Sequence, residues 1–148
     1  MTLSVQKVAV IGAGVMGSGI AQVLAVNGYD VTCHDVRESA LEAALEGIKH
    51  GRFGLARSVE RGRMSDSGMQ EALQRLHFVT ALEEAVSECD LVLEAVFEDL
   101  ALKISLFRSL NEMAPERAIL CSNTSGFSVG AMAAATDRPA QVIGWHWA

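Results

Sequence analysis

The hydrophobic positions of the chain fall into short runs that are separated by polar and glycine-rich segments. Val8–Ile11 is an apolar, largely β-branched run, which is typical of a buried parallel strand. Val15–Val26 carries apolar residues at helical spacing, and the following Asn27-Gly28 ends the predicted helix. A second strand is predicted over Val31–His34. The beginning of the chain therefore predicts a strand–helix–strand unit.

The same alternation of short apolar runs and amphipathic segments recurs further along the chain. Pro115 and Pro139 are each expected to close a helix shortly before the next strand. Strands that alternate with helices favour right-handed crossovers, and they predict a Rossmann-type, doubly wound α/β fold with a mostly parallel sheet. The further predicted strands are Leu76–Thr80, Asp90–Val96, Ala118–Ser122 and Val142–His146, and the further predicted helices are Leu100–Ala114 and Ser128–Ala135.

One segment of 40 residues, from Val36 to Arg75, interrupts this rhythm between the second and third predicted strands. It is rich in alanine, glutamate and arginine, and a break in its pattern lies near Gly62–Ser67. We expect a helical insertion of two helices, of which the first is long and projects from the sheet. No part of the sequence has the composition of a linker, so we assign residues 1–148 to one domain.

Composition and charge narrow the partners expected of this domain. Half of the 148 residues are hydrophobic and the formal net charge is −6, which disfavours nucleic acid as a partner. The cysteines, Cys33, Cys89 and Cys121, lack metal-binding spacing, and their apolar surroundings predict buried, reduced thiols in a cytoplasmic protein. The uncharged run Val8–Val26 approaches the length of a membrane span, but its four glycines favour a soluble fold with no membrane association.

The glycines of the first predicted turn form the pattern G-x-G-x-x-G, from Gly12 through Gly14 to Gly17. Directly after a strand and at the start of a helix, such glycines allow a tight turn, close approach of the backbone to a diphosphate, and close helix–strand packing. The helix start at Val15 and Met16 offers free N–H groups and the positive end of the helix dipole to that anion. The pattern therefore predicts a dinucleotide site.

An acidic residue follows the glycines at the end of the second predicted strand. Asp35 lies 18 residues beyond Gly17, where its carboxylate can accept both hydroxyls of the adenosine ribose. The same carboxylate would repel a 2′-phosphate, so the sequence favours NAD over NADP as the cofactor. Arg37 leaves the other choice open, because a nearby arginine can accept a 2′-phosphate.

Several separated motifs resemble, in order and spacing, the L-3-hydroxyacyl-CoA dehydrogenase family. They are the stretch VAVIGAGVMGSGIAQVLAVNGYDVTCHD, the run DLVLEAVFEDLALK, the turn SNTSG and the terminal RPAQVIGWH. The resemblance covers essentially the whole chain and is to the amino-terminal, NAD-binding half of that family. It implies an acyl-CoA substrate, and it implies a homodimer formed through an all-helical carboxy-terminal domain that this chain lacks.

The resemblance also implies roles for five residues. His146 in GWHWA matches the family histidine that acts as general base, and Ser125 in SNTSG matches the serine that hydrogen-bonds the reacting oxygen. Asn123 belongs to the turn that lines the nicotinamide end of the cofactor. Glu98 and Lys103 match family positions near the nicotinamide ribose. Without the resemblance, His146 would be read as a structural residue, Ser125 as a helix cap or turn residue, and Glu98 and Lys103 as exposed charges.

The sequence also departs from the family pattern. The Asn-Pro pair that follows the histidine in family members, and a glutamate further on that orients the imidazole, are absent from residues 1–148. We therefore expect the chain to bind NAD but to lack efficient catalysis alone. Trp145 and Trp147 replace the usual phenylalanines, which leaves the preferred acyl chain length open.

Basic residues cluster in the helical insertion, at Lys49, Arg52, Arg57, Arg61 and Arg63. The family uses this region to bind coenzyme A, whose phosphates suit such charge, although a solvated helix face is the commoner cause of a charge cluster. Two other functions remain open. One is a related NAD-dependent dehydrogenase of a free hydroxy acid, of the gulonate or carnitine type. The other is a nucleotide-binding module without catalysis.

Overall fold

Six parallel strands form one sheet in the computed structural model, which describes residues 4–148. The spatial order is β3-β2-β1-β4-β5-β6, so the chain crosses from one edge to the middle of the sheet after the third strand. This is the doubly wound arrangement that the sequence predicts. The strands are β1 (Lys7–Ile11), β2 (Asp30–His34), β3 (Leu76–Val79), β4 (Leu91–Glu94), β5 (Ile119–Ser122) and β6 (Val142–Gly144).

Seven α-helices connect the strands. They are α1 (Val15–Val26), α2 (Glu38–His50), α3 (Leu55–Glu60), α4 (Asp66–Gln74), α5 (Leu82–Val86), α6 (Leu100–Met113) and α7 (Val129–Ala133). The limits of α1 agree with the prediction. Pro115 follows the end of α6 as predicted, but Pro139 begins a single 3₁₀ turn, Pro139–Gln141, rather than closing a helix. Helix α5 was not predicted, because its five residues are too few to show helical periodicity.

The insertion between β2 and β3 contains three helices, α2 to α4, and the prediction of two is wrong. A tight turn at Gly51–Gly54 separates α2 from α3, and the Gly54 N–H donates to the Gly51 carbonyl oxygen at 2.9 Å. The expectation that the first helix projects is also wrong. Helix α2 packs against α1 and β3, because Leu41, Ala44 and Ile48 form a buried apolar stripe.

The sheet is covered on both faces, and alternate residues of each strand serve different faces. In β1, Val8 and Val10 pack into the core that includes α1, α2 and α4, whereas Ala9 and Ile11 pack into the core that includes α5 to α7. This alternation explains why β1 reads as a continuous apolar run.

Polar contacts join two strands of the sheet, β1 and β4, at their amino ends. The Asp90 carboxylate accepts the backbone N–H groups of Gln6 and Lys7, both at 2.9 Å, and a 3.2 Å hydrogen bond from Arg117. These hydrogen bonds, those of Lys7 and Gln6 above all, hold the pKa of the Asp90 carboxyl below its usual value. Asp90 therefore anchors the start of β1 against the start of β4.

The three cysteines are buried and free, as predicted. Burial raises the pKa of the Cys33 and Cys121 thiols to about 12 and that of Cys89 to about 11, so these thiols stay protonated and unreactive at neutral pH. Across residues 4–148 no helix is both long and apolar enough to cross a membrane. The same residues contain no group of three or more His, Cys, Asp or Glu side chains that could hold a metal ion.

Candidate active site

The candidate site lies where the parallel strands end. Beyond the carboxyl ends of β1, β4, β5 and β6, the first loop residue donates its backbone N–H to the carbonyl oxygen of the last residue of a neighbouring strand. These bonds join the glycine-rich turn to the loops after β4, β5 and β6 in one continuous rim. They run from Gly12 to the His34 oxygen (2.8 Å), from Ala95 to the Ile11 oxygen (2.8 Å), from Asn123 to the Glu94 oxygen (2.9 Å) and from Trp145 to the Ser122 oxygen (2.9 Å).

The three motif glycines are required for different reasons. Gly12 has φ of +104°, and a Cβ there would lie 2.6 Å from the carbonyl oxygen of Ala95. A Cβ on Gly17 would lie 1.7 Å from the Gly12 oxygen, which no backbone adjustment could accommodate cheaply. A Cβ on Gly14, in contrast, would meet no protein atom within 4 Å. The protein itself needs the first and third glycines, whereas the second leaves open space in front of the helix.

Helix α1 begins at that open space. Gly14 is its N-cap and supplies no side-chain cap, and the first turn contains no acidic residue. Its leading N–H groups and the positive end of its dipole are therefore available to an anion. Val15 is 91% exposed and Met16 is 40% exposed, so the apolar side chains of the first turn face outward.

Asp35 is held beside the glycine-rich turn. Its Oδ2 accepts the Ala13 N–H at 3.1 Å and its Oδ1 accepts the Arg37 N–H at 3.0 Å. The Arg37 Nε lies 3.7 Å from Oδ1, so the guanidinium partly neutralises the carboxylate that was predicted to select the ribose. The side chain of Asp35 is only 13% exposed, which limits its freedom of orientation.

A cleft of about 600 Å³ runs from Gly14 along α1 and α2 to the turn after α2. Small residues of α2 form one wall, and Arg52 and Phe53 close the far end. The Arg52 guanidinium stacks 5.3 Å above the Phe53 ring, and Gln22 Nε2 donates to the Phe53 oxygen at 2.8 Å. Of the predicted basic cluster, Arg52 lines this cleft, whereas Arg57 pairs with Glu60 at 3.9 Å on α3.

A second cleft, of about 250 Å³, opens between the ends of β1, β4, β5 and β6. It brings together side chains that lie far apart in the sequence. Six of the eleven predicted site residues line it, namely Met16, Glu98, Lys103, Asn123, Ser125 and His146. The other five are Gly12, Gly14, Val15 and Gly17, which belong to the adjoining turn and the start of α1, and Asp35, which lies beside that turn.

His146 is exposed at the mouth of the second cleft, two residues beyond the end of β6. The backbone is fixed on both sides of it. The Trp145 N–H donates to the Ser122 oxygen at 2.9 Å, and the Trp147 N–H donates to the side-chain Oδ1 of Asn123 at 2.7 Å. The predicted strand Val142–His146 is thus shorter than expected, because regular pairing ends at Gly144 and His146 turns into the wall of the cleft.

A buried ionic network forms the floor of the second cleft. The Lys103 ammonium contacts Glu94 Oε2 at 2.7 Å and Glu98 Oε1 at 3.0 Å. Ser122 Oγ donates to Glu94 Oε1 at 2.8 Å, and Thr124 Oγ1 donates to Glu98 Oε2 at 2.8 Å. Burial opposes ionisation of Glu98, but the hydrogen bonds from Lys103 and Thr124 outweigh it and hold its pKa below the usual value.

Glu94 was not among the predicted site residues. The side chains of Glu94 and Lys103 are 0% and 1% exposed, so the pair is fully removed from water. One signal in the sequence points to it. Glu94 ends the otherwise apolar strand LVLE, and a lysine follows nine residues later. A buried charge at a strand end needs a partner nearby, and the next helix supplies it.

Gly14→Ala should weaken NADH binding without unfolding the domain. The added methyl group meets no protein atom, and the φ of −70° at this position suits alanine. The methyl group would instead occupy the space left for a diphosphate. We expect the Kd for NADH, measured by nicotinamide fluorescence, to rise about tenfold or more, which is about 1.4 kcal/mol. Gly130→Ala on α7 is the control and should leave the Kd unchanged. Equal Kd values for both variants would contradict a diphosphate site at Gly14.

Comparison with known proteins connects this geometry to a family. Residues 7–148 match the family described as the 3-hydroxyacyl-CoA dehydrogenase NAD binding domain. A probable 3-hydroxybutyryl-CoA dehydrogenase of Bacillus subtilis is 39% identical over 145 residues, which are 98% of this chain and 49% of the relative. The 3-hydroxyadipyl-CoA dehydrogenase of Escherichia coli is 42% identical over 147 residues, which are 99% of this chain and 30% of the relative.

A solved structure agrees with these sequence relatives. The crystal structure of Mycobacterium tuberculosis FadB2 superposes with a TM-score of 0.92 at 38% identity, and the match covers 98% of this chain and 50% of that one. The chain therefore spans half or less of the length of these relatives. The predicted Rossmann-type fold, the predicted NAD cofactor and the resemblance stated above are confirmed. This chain belongs to the NAD-binding domain family of the 3-hydroxyacyl-CoA dehydrogenases.

Proposed function

We propose that this chain is the NAD-binding part of a dehydrogenase that oxidises (S)-3-hydroxyacyl-CoA to 3-oxoacyl-CoA. The observation that carries the proposal is the second cleft, in which Ser125 and His146 converge beside Met16 on the first turn of α1. A hydroxyl group and an imidazole next to a nucleotide-binding turn are the groups that oxidation of an alcohol requires.

The residues present fit NAD. The open space at Gly14 and the uncapped start of α1 suit the diphosphate, and Asp35 would hold the adenosine ribose. Glu98 and Lys103 border the second cleft, where the nicotinamide ribose would lie. When bound, NAD would accept the hydride that leaves C3 of the substrate.

His146 would act as general base. It is exposed at the cleft mouth, so its imidazole can reach the 3-hydroxyl group and take its proton as the C3 carbonyl forms. Ser125 is exposed in the same cleft, and its hydroxyl group would donate a hydrogen bond to the reacting oxygen. The two groups come from the ends of β5 and β6, which are adjacent and parallel.

Coenzyme A thioesters are the proposed substrates, because the named relatives from Bacillus subtilis and Escherichia coli are dehydrogenases of such thioesters. The first cleft ends at Arg52 and Phe53, which offer a charge for a phosphate and an aromatic face for a base. We assign coenzyme A contact to this end of the cleft.

The chain alone is proposed to bind NAD and to catalyse poorly. The two named relatives are about twice and more than three times as long, and the groups that orient the imidazole in the family are absent from residues 1–148. A helical second part would complete the substrate site and form a homodimer. The buried, free thiols are consistent with the cytoplasm as the compartment.

Steady-state kinetics of the complete protein test the substrate class. We expect NAD-dependent oxidation of (S)-3-hydroxybutyryl-CoA and little activity with free 3-hydroxybutyrate. Arg52→Glu should raise the KM for the thioester about tenfold or more, since a charge-assisted hydrogen bond contributes about 1.5–3 kcal/mol. Arg108→Glu is the matched control, because Arg108 is exposed on α6, on the other face of the sheet.

The alternatives make different predictions for the same assay. A dehydrogenase of a free hydroxy acid would prefer 3-hydroxybutyrate or another free acid, and Arg52→Glu would not change its KM. A binding module without catalysis would take up NADH but oxidise neither substrate. Either result would refute the proposed function.

A further inference from the structure

We propose that Asn123 is a positioning residue for His146, rather than a ligand of the cofactor as the family resemblance implies. Its side-chain oxygen fixes the backbone immediately beyond His146 and thereby orients the imidazole. The inference rests on the proposed role of His146 as the base. Three observations support it: the end of the β6 ladder, the hydrogen bonds around the Asn123 backbone, and the exposure of His146.

The regular pairing of β6 ends just before His146. The β5–β6 register stops at Ser122 and Gly144, and the backbone adds one more bond, from the Trp145 N–H to the Ser122 oxygen. Two residues further along, where the next bond of the ladder would fall, the Trp147 N–H donates to Asn123 Oδ1 at 2.7 Å. A side-chain amide thus takes the place of a backbone carbonyl and extends the ladder past the catalytic position.

The backbone of Asn123 is itself hydrogen-bonded, which fixes the point from which its side chain reaches Trp147. Its backbone N–H donates to the Glu94 oxygen at 2.9 Å. The residues on either side are anchored through their hydroxyl groups, Ser122 to Glu94 and Thr124 to Glu98, both at 2.8 Å. Ion pairs and hydrogen bonds therefore connect Lys103, through the loop after β5 that contains Asn123, to the backbone of the loop after β6.

His146 needs such support because it is exposed and lies outside the strand. With N–H groups bonded at residues 145 and 147, the backbone on both sides of His146 is fixed. Without the Asn123 oxygen, the last backbone hydrogen bond of this segment would be that of Trp145, and the imidazole would sample orientations that leave the second cleft. Loss of orientation lowers the rate of the proton transfer more than it lowers binding of the substrate.

Two variants of Asn123 test whether its side-chain oxygen or only its side-chain volume is needed. Asn123→Asp keeps an oxygen acceptor, whereas Asn123→Leu has similar volume and no acceptor. In the 148-residue chain, we expect hydrogen exchange of the Trp147 backbone amide, followed by NMR, to be tenfold or more faster in the leucine variant and near the parent rate in the aspartate variant. Asn123→Ala replaces the leucine variant if that protein does not fold.

Kinetics of the complete protein distinguish positioning from cofactor binding. Asn123→Leu should lower kcat tenfold or more and change the KM for NAD by less than threefold, and Asn123→Asp should recover most of the loss. Asn111→Leu is the matched control. Asn111 Oδ1 accepts a hydrogen bond from Arg138 Nε at 3.1 Å at the far end of α6, so this variant should lower Tm without lowering kcat.

Three results would overturn the inference. They are unchanged exchange of the Trp147 amide in the leucine variant, a kcat within twofold of the parent, and a raised KM for NAD at constant kcat. The last result would indicate that Asn123 is a ligand of the cofactor. Failure of the base assignment is recognised separately, because His146→Gln would then leave kcat unchanged whatever the Trp147 amide shows.

Discussion

Replacing His146 by glutamine should lower kcat of the complete protein for a 3-hydroxyacyl-CoA by about 10²–10⁴-fold, the usual contribution of a general base. Glutamine can hydrogen-bond the 3-hydroxyl group but cannot take its proton. The Kd for NADH should stay near that of the parent, because the site proposed for the diphosphate lies at the glycine-rich turn and not at His146. Stopped-flow or steady-state absorbance of NADH measures the rate.

His77→Gln is the matched control for this experiment. His77 is 53% exposed and pairs with Asp30 at 2.9 Å at the start of β2, at the opposite end of the strands from His146. Because His77 lies at the opposite end of the strands, its replacement should leave kcat within about twofold of the parent. The fold should also be retained, since an exposed pair of this kind contributes at most about 1 kcal/mol to stability. A loss of less than about tenfold in His146→Gln would assign the proton transfer to another group.

Lys103→Met should destabilise the domain by about 3–5 kcal/mol, which is the typical cost of removing one partner from a buried ion pair. The Glu94 carboxylate would remain fully buried and would lose the Lys103 ammonium, its charged partner at 2.7 Å. Urea unfolding followed by circular dichroism gives the free energy of unfolding.

A second variant and a control make this prediction specific. Adding Glu94→Gln to Lys103→Met removes the uncompensated charge, so the double variant should be more stable than Lys103→Met alone. Lys7→Met removes an ion pair of the same length, 2.7 Å, between Lys7 and the exposed Glu88. It should leave the free energy of unfolding nearly unchanged, because both partners are exposed and screened by water. Equal losses for the two lysine variants would show that burial of the Lys103 pair has no energetic consequence.

The glycine-rich turn could be predicted from the sequence because its demands are local. The positive φ at Gly12, the missing space at Gly17 and the open space at Gly14 all arise within six residues. The position of Asp35 beside that turn could be predicted, because the topology fixes where the neighbouring parallel strand ends. His146 and Ser125 needed the family pattern, because a lone histidine and a lone serine carry no signal of their own.

The rest of the site depends on contacts between distant segments. The Glu94–Lys103 pair joins a strand to the following helix, and the bond from Trp147 to Asn123 spans 24 residues. Hydrophobic periodicity does not report such contacts. The insertion was misjudged for a related reason. The turn at Gly51 depends on close approach to Gly47, where a Cβ on Gly51 would lie 2.4 Å from the Gly47 oxygen, and this approach is invisible in composition.

The rim of backbone bonds that links the strand ends restricts which residues the loops can accept. Proline has no N–H to donate, so it would break the rim wherever it replaced one of the donors. Four positions are thereby closed to proline, namely 12, 95, 123 and 145, although each lies in a loop, where proline is otherwise common. Libraries that diversify these loops can therefore leave proline out at those four codons.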